Sequence, residues 1–313
     1  MANGDLNKKI HTPRQISHTV VDNEGIRLDV YISQIFSITR TRAKTLIDEN
    51  YITVDGKATK PSIKVKKGMH IKGEIREVEP LSMVAQDIPI SIIYEDDYIL
   101  AINKPPGMVV HPSFGHKDKT LVNAVLAYFN VSCLEETSVP RAGIVHRLDK
   151  DTTGVILVAK DTKTQDMLSN MFKRREILKQ YRAVVEGIIK EDTVVIEGNI
   201  GRHPTERKKM AVLKTGGRDA LTEIKVIDRL KGFTYVDAFP KTGRTHQIRV
   251  HLSHTGHPIV GDGVYGKRAR HASSRILLHA YKLEFIHPLR HTSITICAPM
   301  PYDIEAFIES HRV

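Results

Sequence analysis

The stretch His146-Arg147-Leu148-Asp149-Lys150-Asp151-Thr152-Thr153-Gly154 places two carboxylates and two cations within nine residues. It lies between two short apolar, β-rich runs, Gly143–Val145 and Val155–Ala159. That pattern predicts a loop between two strands, where a rigid sheet can present reactive groups. A charged, solvated turn is the ordinary reading of such a word. Five further segments decide against it.

Asn103-Lys104-Pro105-Pro106-Gly107-Met108-Val109-Val110-His111-Pro112 comes first. Lys179-Gln180-Tyr181-Arg182-Ala183 follows, then Lys241-Thr242-Gly243-Arg244-Thr245-His246-Gln247-Ile248-Arg249-Val250-His251-Leu252. Gly256-His257-Pro258-Ile259 with Gly261-Asp262, and Leu278-His279-Ala280, complete the set. Together with residues 146–154, and in this order, they resemble the motifs of the RluA/RluD family of RNA pseudouridine synthases. Agreement across several ordered motifs is far more specific than any single word. The resemblance implies that Asp149 is the catalytic carboxylate. It implies that Tyr181 stacks on the target base, that Arg249 pairs with Asp149, and that Arg147 enters the RNA to hold the nucleotide out of the stack. Leu278 joins them as a substrate-binding residue.

Composition sets the outer limits. With 313 residues, 41% of them hydrophobic, the chain has room for one sizeable core and a smaller module. Its longest run without charge, Thr120–Leu134, is too short to span a bilayer and predicts a buried helix. The first 20 residues lack an apolar signal region, which points to the cytoplasm. Cys133 and Cys297 stand far apart, an arrangement that supports neither a disulfide framework nor a cysteine-based zinc site. The net charge of +11 suits a polyanionic partner.

Much of that charge is local. Between Ile26 and Lys72 there are ten Lys/Arg against four Asp/Glu, more than half of the net excess. Leu28, Tyr31, Ile32, Ile35 and Phe36 fall at helical spacing. A second helix follows, capped by Ser37 or Thr39, with Ala43, Leu46 and Ile47 inward and Arg40, Arg42 and Lys44 outward. Asp55-Gly56 then signals a hairpin turn, with Lys64, Lys66 and Lys67 nearby. This resembles an S4 RNA-binding domain. The expected organisation is a flexible N-terminus over 1–16, an S4-like domain over 17–75, a linker over 76–90 and a catalytic domain over 91–313. A further helix is expected from about Lys163 to Arg175, capped by Asp161 or Thr162. Mixed strands with scattered helices predict an α+β fold with a mixed, mainly antiparallel sheet.

The chemistry follows from the constellation. Turning uridine into pseudouridine breaks N1–C1′ and makes C5–C1′, with no redox cofactor or energy source. It requires a carboxylate at the sugar, as nucleophile or general base, and a base removed from the helical stack. Thr245 reads as the N-cap of a helix ending near Gly256, which puts His246 and Arg249 on one face. Lys104 and Arg244 are candidate phosphate-contacting or supporting residues. His246, His251, His254 and His257 suggest a metal set, yet His251 and His257 fall about 600° apart on a helix and share no face. Asp149 and Asp151 as a glycosidase pair lie too close in sequence to flank a sugar. No metal and no cofactor are expected. The expected partner is RNA, large-subunit (23S) ribosomal RNA first, for a monomer with no membrane association. A transfer-RNA synthase and a non-catalytic ribosome-assembly factor are the rivals.

Overall fold

Asp29 and the apolar residues around it build the first of two compact units, Met1–Leu81 and Ser82–Val313. The computed structural model describes residues 13–22, 24–75, 83–112, 116, 118–132, 140–206, 209–266 and 272–313. In the first unit, β1 (Arg14–Thr19) precedes α1 (Leu28–Ile35), α2 (Arg40–Asp48), β2 (Ile52–Val54) and β3 (His70–Ile75). The strands form one antiparallel sheet in the order β1-β3-β2. Leu28, Tyr31 and Ile32 pack on Ala43, Leu46 and Ile47, as the helical spacing predicts. Thr39 caps α2 by accepting the Arg42 N–H. Asp55 and Gly56 both have positive φ and Val54 bridges Lys57 across them, the tight hairpin turn the sequence signals, while the ladder partner of β2 comes 17 or more residues later, in β3.

Three expectations change here. Arg14–Ile16, expected in a flexible terminus, are strand residues, because Ile16 is buried against the helices and its backbone pairs with β3. Arg40, expected on the free basic face, bonds Asp29 through Nε at 3.1 Å. Asp29 is almost wholly buried and also takes Arg27, whose hydrogen bond holds its carboxyl below the usual range. Lys44 pairs with Asp48 one turn on. Lys64, Lys66 and Lys67 are exposed and form no ion pair among the described residues.

In the second unit, β4 (Ser91–Glu95), β5 (Ile99–Lys104), α3 (Leu121–Tyr128), β6 (Thr153–Ala159), α4 (Thr162–Arg174), β7 (Leu178–Glu186) and β8 (Thr193–Arg202) come first. They are followed by β9 (Met210–Leu213), β10 (Arg218–Leu230), β11 (Phe233–Pro240), α5 (Gln247–His254), β12 (Leu278–Ile286), β13 (Ser293–Cys297) and α6 (Tyr302–Ser310). The ten strands form one sheet, ordered β4-β5-β6-β12-β7-β11-β10-β8-β9, with β13 beside β12. Every pairing is antiparallel except β6 with β12. The expected mixed, mainly antiparallel α+β architecture is therefore what the chain adopts.

The uncharged run yields α3, entered through a capping box between Thr120 and Asn123. Asp161 caps α4, and its side chain accepts the Thr164 N–H. The spacing of Met167, Leu168, Met171 and Phe172 predicts an apolar stripe on α4; Leu168 is its fully buried member, while Met171 and Phe172 stay half-exposed. Cys297 is exposed, whereas Cys133 and residues 76–82 of the expected linker lie outside the described residues. The run Gly143–Val145 is not a strand. Arg141 and Ala142 adopt left-handed φ in a tight turn, and only Ile144 bridges to Val158. No described helix is long and apolar enough to cross a membrane.

Candidate active site

The parallel pair of β6 and β12 places the site. Gly154 has φ 110°, and a Cβ there would lie 2.1 Å from the Ala280 carbonyl oxygen, so only glycine lets the two strands meet. The buried His279 clamps the same point, its Nδ1 2.8 Å from Thr153 Oγ1. On its other side β12 pairs with β7, with Ala280 opposite Tyr181. The loop before β6, the first residue of β12 and the middle of β7 are thus three neighbours. They supply Asp149, Leu278 and Tyr181.

Lys104 holds the loop from beneath. It is 0% exposed, and its ammonium donates to the carbonyls of Pro105, Met108 and Lys150 at 2.8, 3.0 and 2.9 Å. Burial lowers its pKa to about 8, against the opposing pull of Asp151 and Asp149. So buried, it offers an RNA phosphate no surface, which corrects the expectation of a phosphate contact; a supporting role is what the contacts fit. His146 is fixed as well. Its Nε2 accepts the Leu157 N–H at 2.8 Å, and its ring lies 4.5 Å from that of Phe172. Burial pushes this histidine down to about 3, so it is neutral.

Arg249 arrives from α5. Ile248 and Leu252 bury the helix against Ala183, Val185, Val236 and Ala238. Thr245 does not cap it. The N-cap is His246, with left-handed φ of 56°, a conformation that costs a non-glycine residue of order 1–2 kcal/mol. Gln247 secures the helix start instead. Its Oε1 accepts Thr242 Oγ1 and the Arg244 N–H, while its Nε2 donates to the Leu221 carbonyl and Thr222 Oγ1. A buried amide with four partners outweighs a missing cap.

Arg249 donates from Nη1 to Asp149 Oδ2 at 2.9 Å. Its Nε and Nη2 make a two-pronged contact with Asp262, at 2.8 and 2.9 Å. Asp262 is 0% exposed and also accepts the Val264 and Tyr265 N–H groups. Burial alone would raise its pKa, but Arg249 and these donors keep it below the usual carboxylate range. Burial opposes the Arg249 charge too, and Asp262 and Asp149 more than offset it. Gly261, at φ 74°, permits this turn, since a Cβ there would sit 1.9 Å from the Arg275 carbonyl oxygen. Tyr181 is pushed up from its ordinary value by burial and by the Asp149 charge, so its hydroxyl keeps its proton.

Asp149, Arg147, Tyr181, Arg244, Arg249 and Leu278 all border one cleft of about 470 Å³. The five expected catalytic and substrate-binding residues are therefore brought together, with Arg244 beside them. Arg244 bonds the Asp219 carbonyl through Nε. Asp149, Arg147, His246 and Arg249 also border a second cleft of about 600 Å³, along with His111 and Lys150. Sequence reasoning gave Asp262 and Tyr265 no role and read Phe172 only as part of the apolar stripe of its helix. For Asp262 a signal existed in the Gly261-Asp262 pair; the others are joined to the site only through space. The histidines have separate duties, His251 on Thr222 and His257 on the Glu186 carbonyl, and no group of three metal-binding side chains occurs among the described residues.

The chain is similar to known proteins over most of its length. Residues 98–254 match the family described as RNA pseudouridylate synthase, and residues 26–71 match the S4 domain. The chain is 38% identical to the ribosomal large subunit pseudouridine synthase D of Neisseria meningitidis, across 96% of its own length and 83% of that protein's. It is 40% identical to the protein of the same name from Vibrio vulnificus, across 95% of each. Among solved structures, human RNA pseudouridylate synthase domain containing 1 superposes with a TM-score of 0.57 at 29% identity, covering 72% of this chain and 87% of that one.

Proposed function

The chain belongs to the RNA pseudouridylate synthase family, and from that premise we propose that it isomerises uridines of large-subunit ribosomal RNA with Asp149 as the catalytic carboxylate. The observation that carries the reading is the Asp149–Arg249–Asp262 chain at the floor of the cleft. A guanidinium held on one side by a buried carboxylate keeps its remaining N–H groups aimed at the other. Asp149 is then held in one rotamer, as a nucleophile or a general base requires.

The target uridine leaves the stack and enters the cleft, with its base against Tyr181 and Leu278. Arg147, exposed on the same loop, takes the vacated place in the RNA. N1–C1′ breaks, the uracil turns within the cleft, and C5 bonds to C1′. The proton lost from C5 balances the one gained at N1. The names of the relatives supply the choice of ribosomal RNA, and the unpaired Lys64, Lys66 and Lys67 of the first unit fit a phosphate backbone.

Asp149→Asn keeps the shape and removes the charge. The expected result is no pseudouridine in a single-turnover assay on large-subunit RNA, with RNA affinity within a few-fold of wild type. Product formation by a clean preparation of this variant would remove Asp149 from the chemistry.

A further inference from the structure

We propose that His246 is a second positioning residue for Asp149, with its proton placed by Tyr265. The inference rests on Asp149 being the catalytic carboxylate. The Tyr265 hydroxyl accepts the Met210 N–H at 2.9 Å and lies 2.9 Å from His246 Nδ1. The other ring nitrogen, Nε2, lies 3.7 Å from Asp149 Oδ2, the oxygen that takes Arg249. Two tautomers are possible. With the proton on Nδ1, a nitrogen lone pair would face a carboxylate oxygen, which is repulsive. With the proton on Nε2, the hydroxyl proton of Tyr265 goes to Nδ1, the Met210 N–H satisfies the phenol oxygen, and an N–H points at Asp149. Only the second leaves every group matched.

The surroundings favour the same state. Arg147 from the loop, Arg249 from the helix, and Asp149 and Asp262 are the charged groups acting on this ring. Burial and the two arginines hold the histidine below its ordinary value against the pull of the two aspartates, so it is neutral. His246 has a left-handed backbone at the start of α5, and its ring reaches Asp149 on the loop. Among the described residues no hydrogen bond reaches Asp149 Oδ1. Arg249 and His246 therefore gather on one oxygen and leave the other to act on the substrate. Closing 3.7 Å to a hydrogen bond as RNA binds fixes the carboxylate at the moment of reaction, so the contact acts on rate and not on affinity.

The test uses the full chain and a large-subunit RNA transcript in single-turnover reactions at saturating enzyme. His246→Ala is expected to slow the rate roughly 10- to 100-fold, less than the loss of a direct oxyanion donor, with RNA affinity within about 3-fold. His246→Gln places an amide N–H near the same point and should recover most of the rate. In protein labelled with ¹⁵N-histidine, the His246 ring should show the Nε2–H tautomer, and Tyr265→Phe should shift that signal. Thermal melts confirm that each variant is folded. An unchanged rate in His246→Ala, no recovery in His246→Gln, or an Nδ1–H tautomer in the parent would each overturn the proposal. Asp149→Asn is assayed alongside. If it stays active, the premise fails; if it is dead while the His246 variants are unaffected, only the role of His246 fails.

Discussion

At the scale of single residues, the site is one carboxylate aimed by an arginine that is itself aimed by a second carboxylate. Asp149 was legible because its neighbours form a recognisable word, and Arg249 because its motif accompanies that word. Asp262 was quoted in its motif but given no role, since its partner lies 13 residues away and around a turn. Arg249→Ala leaves Asp262 charged and buried without its partner, which should cost about 3–5 kcal/mol and abolish turnover. Asp262→Asn is the more telling variant. It keeps the shape, so the protein should fold, yet Arg249 loses its charged anchor and its aim. The expected outcome is a strong loss of single-turnover rate with RNA binding retained. Unfolding curves and rate measurements on the same preparations check this, and a wild-type rate in Asp262→Asn would show that Arg249 needs no second carboxylate.

Among elements, local signals were read well and non-local ones were not. Thr39 and Asp161 cap the helices they precede, because capping is settled within three residues. The start of α5 was misread at Thr245 because its true anchor is Gln247, tied to Leu221 and Thr222 on β10, some 25 residues earlier. Gly143–Val145 looked like a strand, yet the left-handed residues before it are a tertiary demand that composition does not encode. Buried histidines give these elements a pH sensitivity. His251 on α5 and His279 on β12 are wholly buried, and burial lowers each to about 4. The folded state prefers them neutral, while the unfolded chain protonates near pH 6.5. Their stabilisation is therefore complete above pH 6.5 and falls away as pH drops toward 4. By pH 5 each accounts for a loss of roughly 2 kcal/mol, at 1.36 kcal/mol per pH unit. The expected observation is that His251→Asn loses less stability between pH 7 and pH 5 than the parent. Equal losses in chemical denaturation at the two pH values would contradict it.

For the whole molecule, the proposed function divides phosphate binding and chemistry between the two units. The excess of positive charge in residues 26–72 was plain in the sequence, but which cations remain available was not. Arg40 and Lys44 have carboxylate partners, and Lys64, Lys66 and Lys67 are left to meet phosphate. Replacing these three lysines by glutamine should weaken binding to long ribosomal RNA. It should also flatten the log–log salt dependence by about two units, at roughly 0.7 per contact on a single strand. The single-turnover rate at saturating RNA should stay near wild type, because Asp149, Tyr181 and Arg249 belong to the other unit. Salt titrations of the triple variant decide the matter, and an unchanged slope would make this charge cluster incidental to RNA binding.

The parallel pairing of β6 with β12 also bears on how the molecule comes into being. The clamp from Thr153 to His279 joins residues 126 apart, and Asp149 meets Arg249 across 100. The core of the first unit, by contrast, is complete within Ile16–Ile75. A chain made at about 5–20 residues per second passes residue 280 roughly 10–40 s after residue 75. During that interval the first unit has its whole core available, while the cleft still lacks the strand that completes it. Long-range closure is also the slow step of folding for such a sheet. The order of synthesis thus lets the unit proposed to hold RNA form before the cleft proposed to act on it.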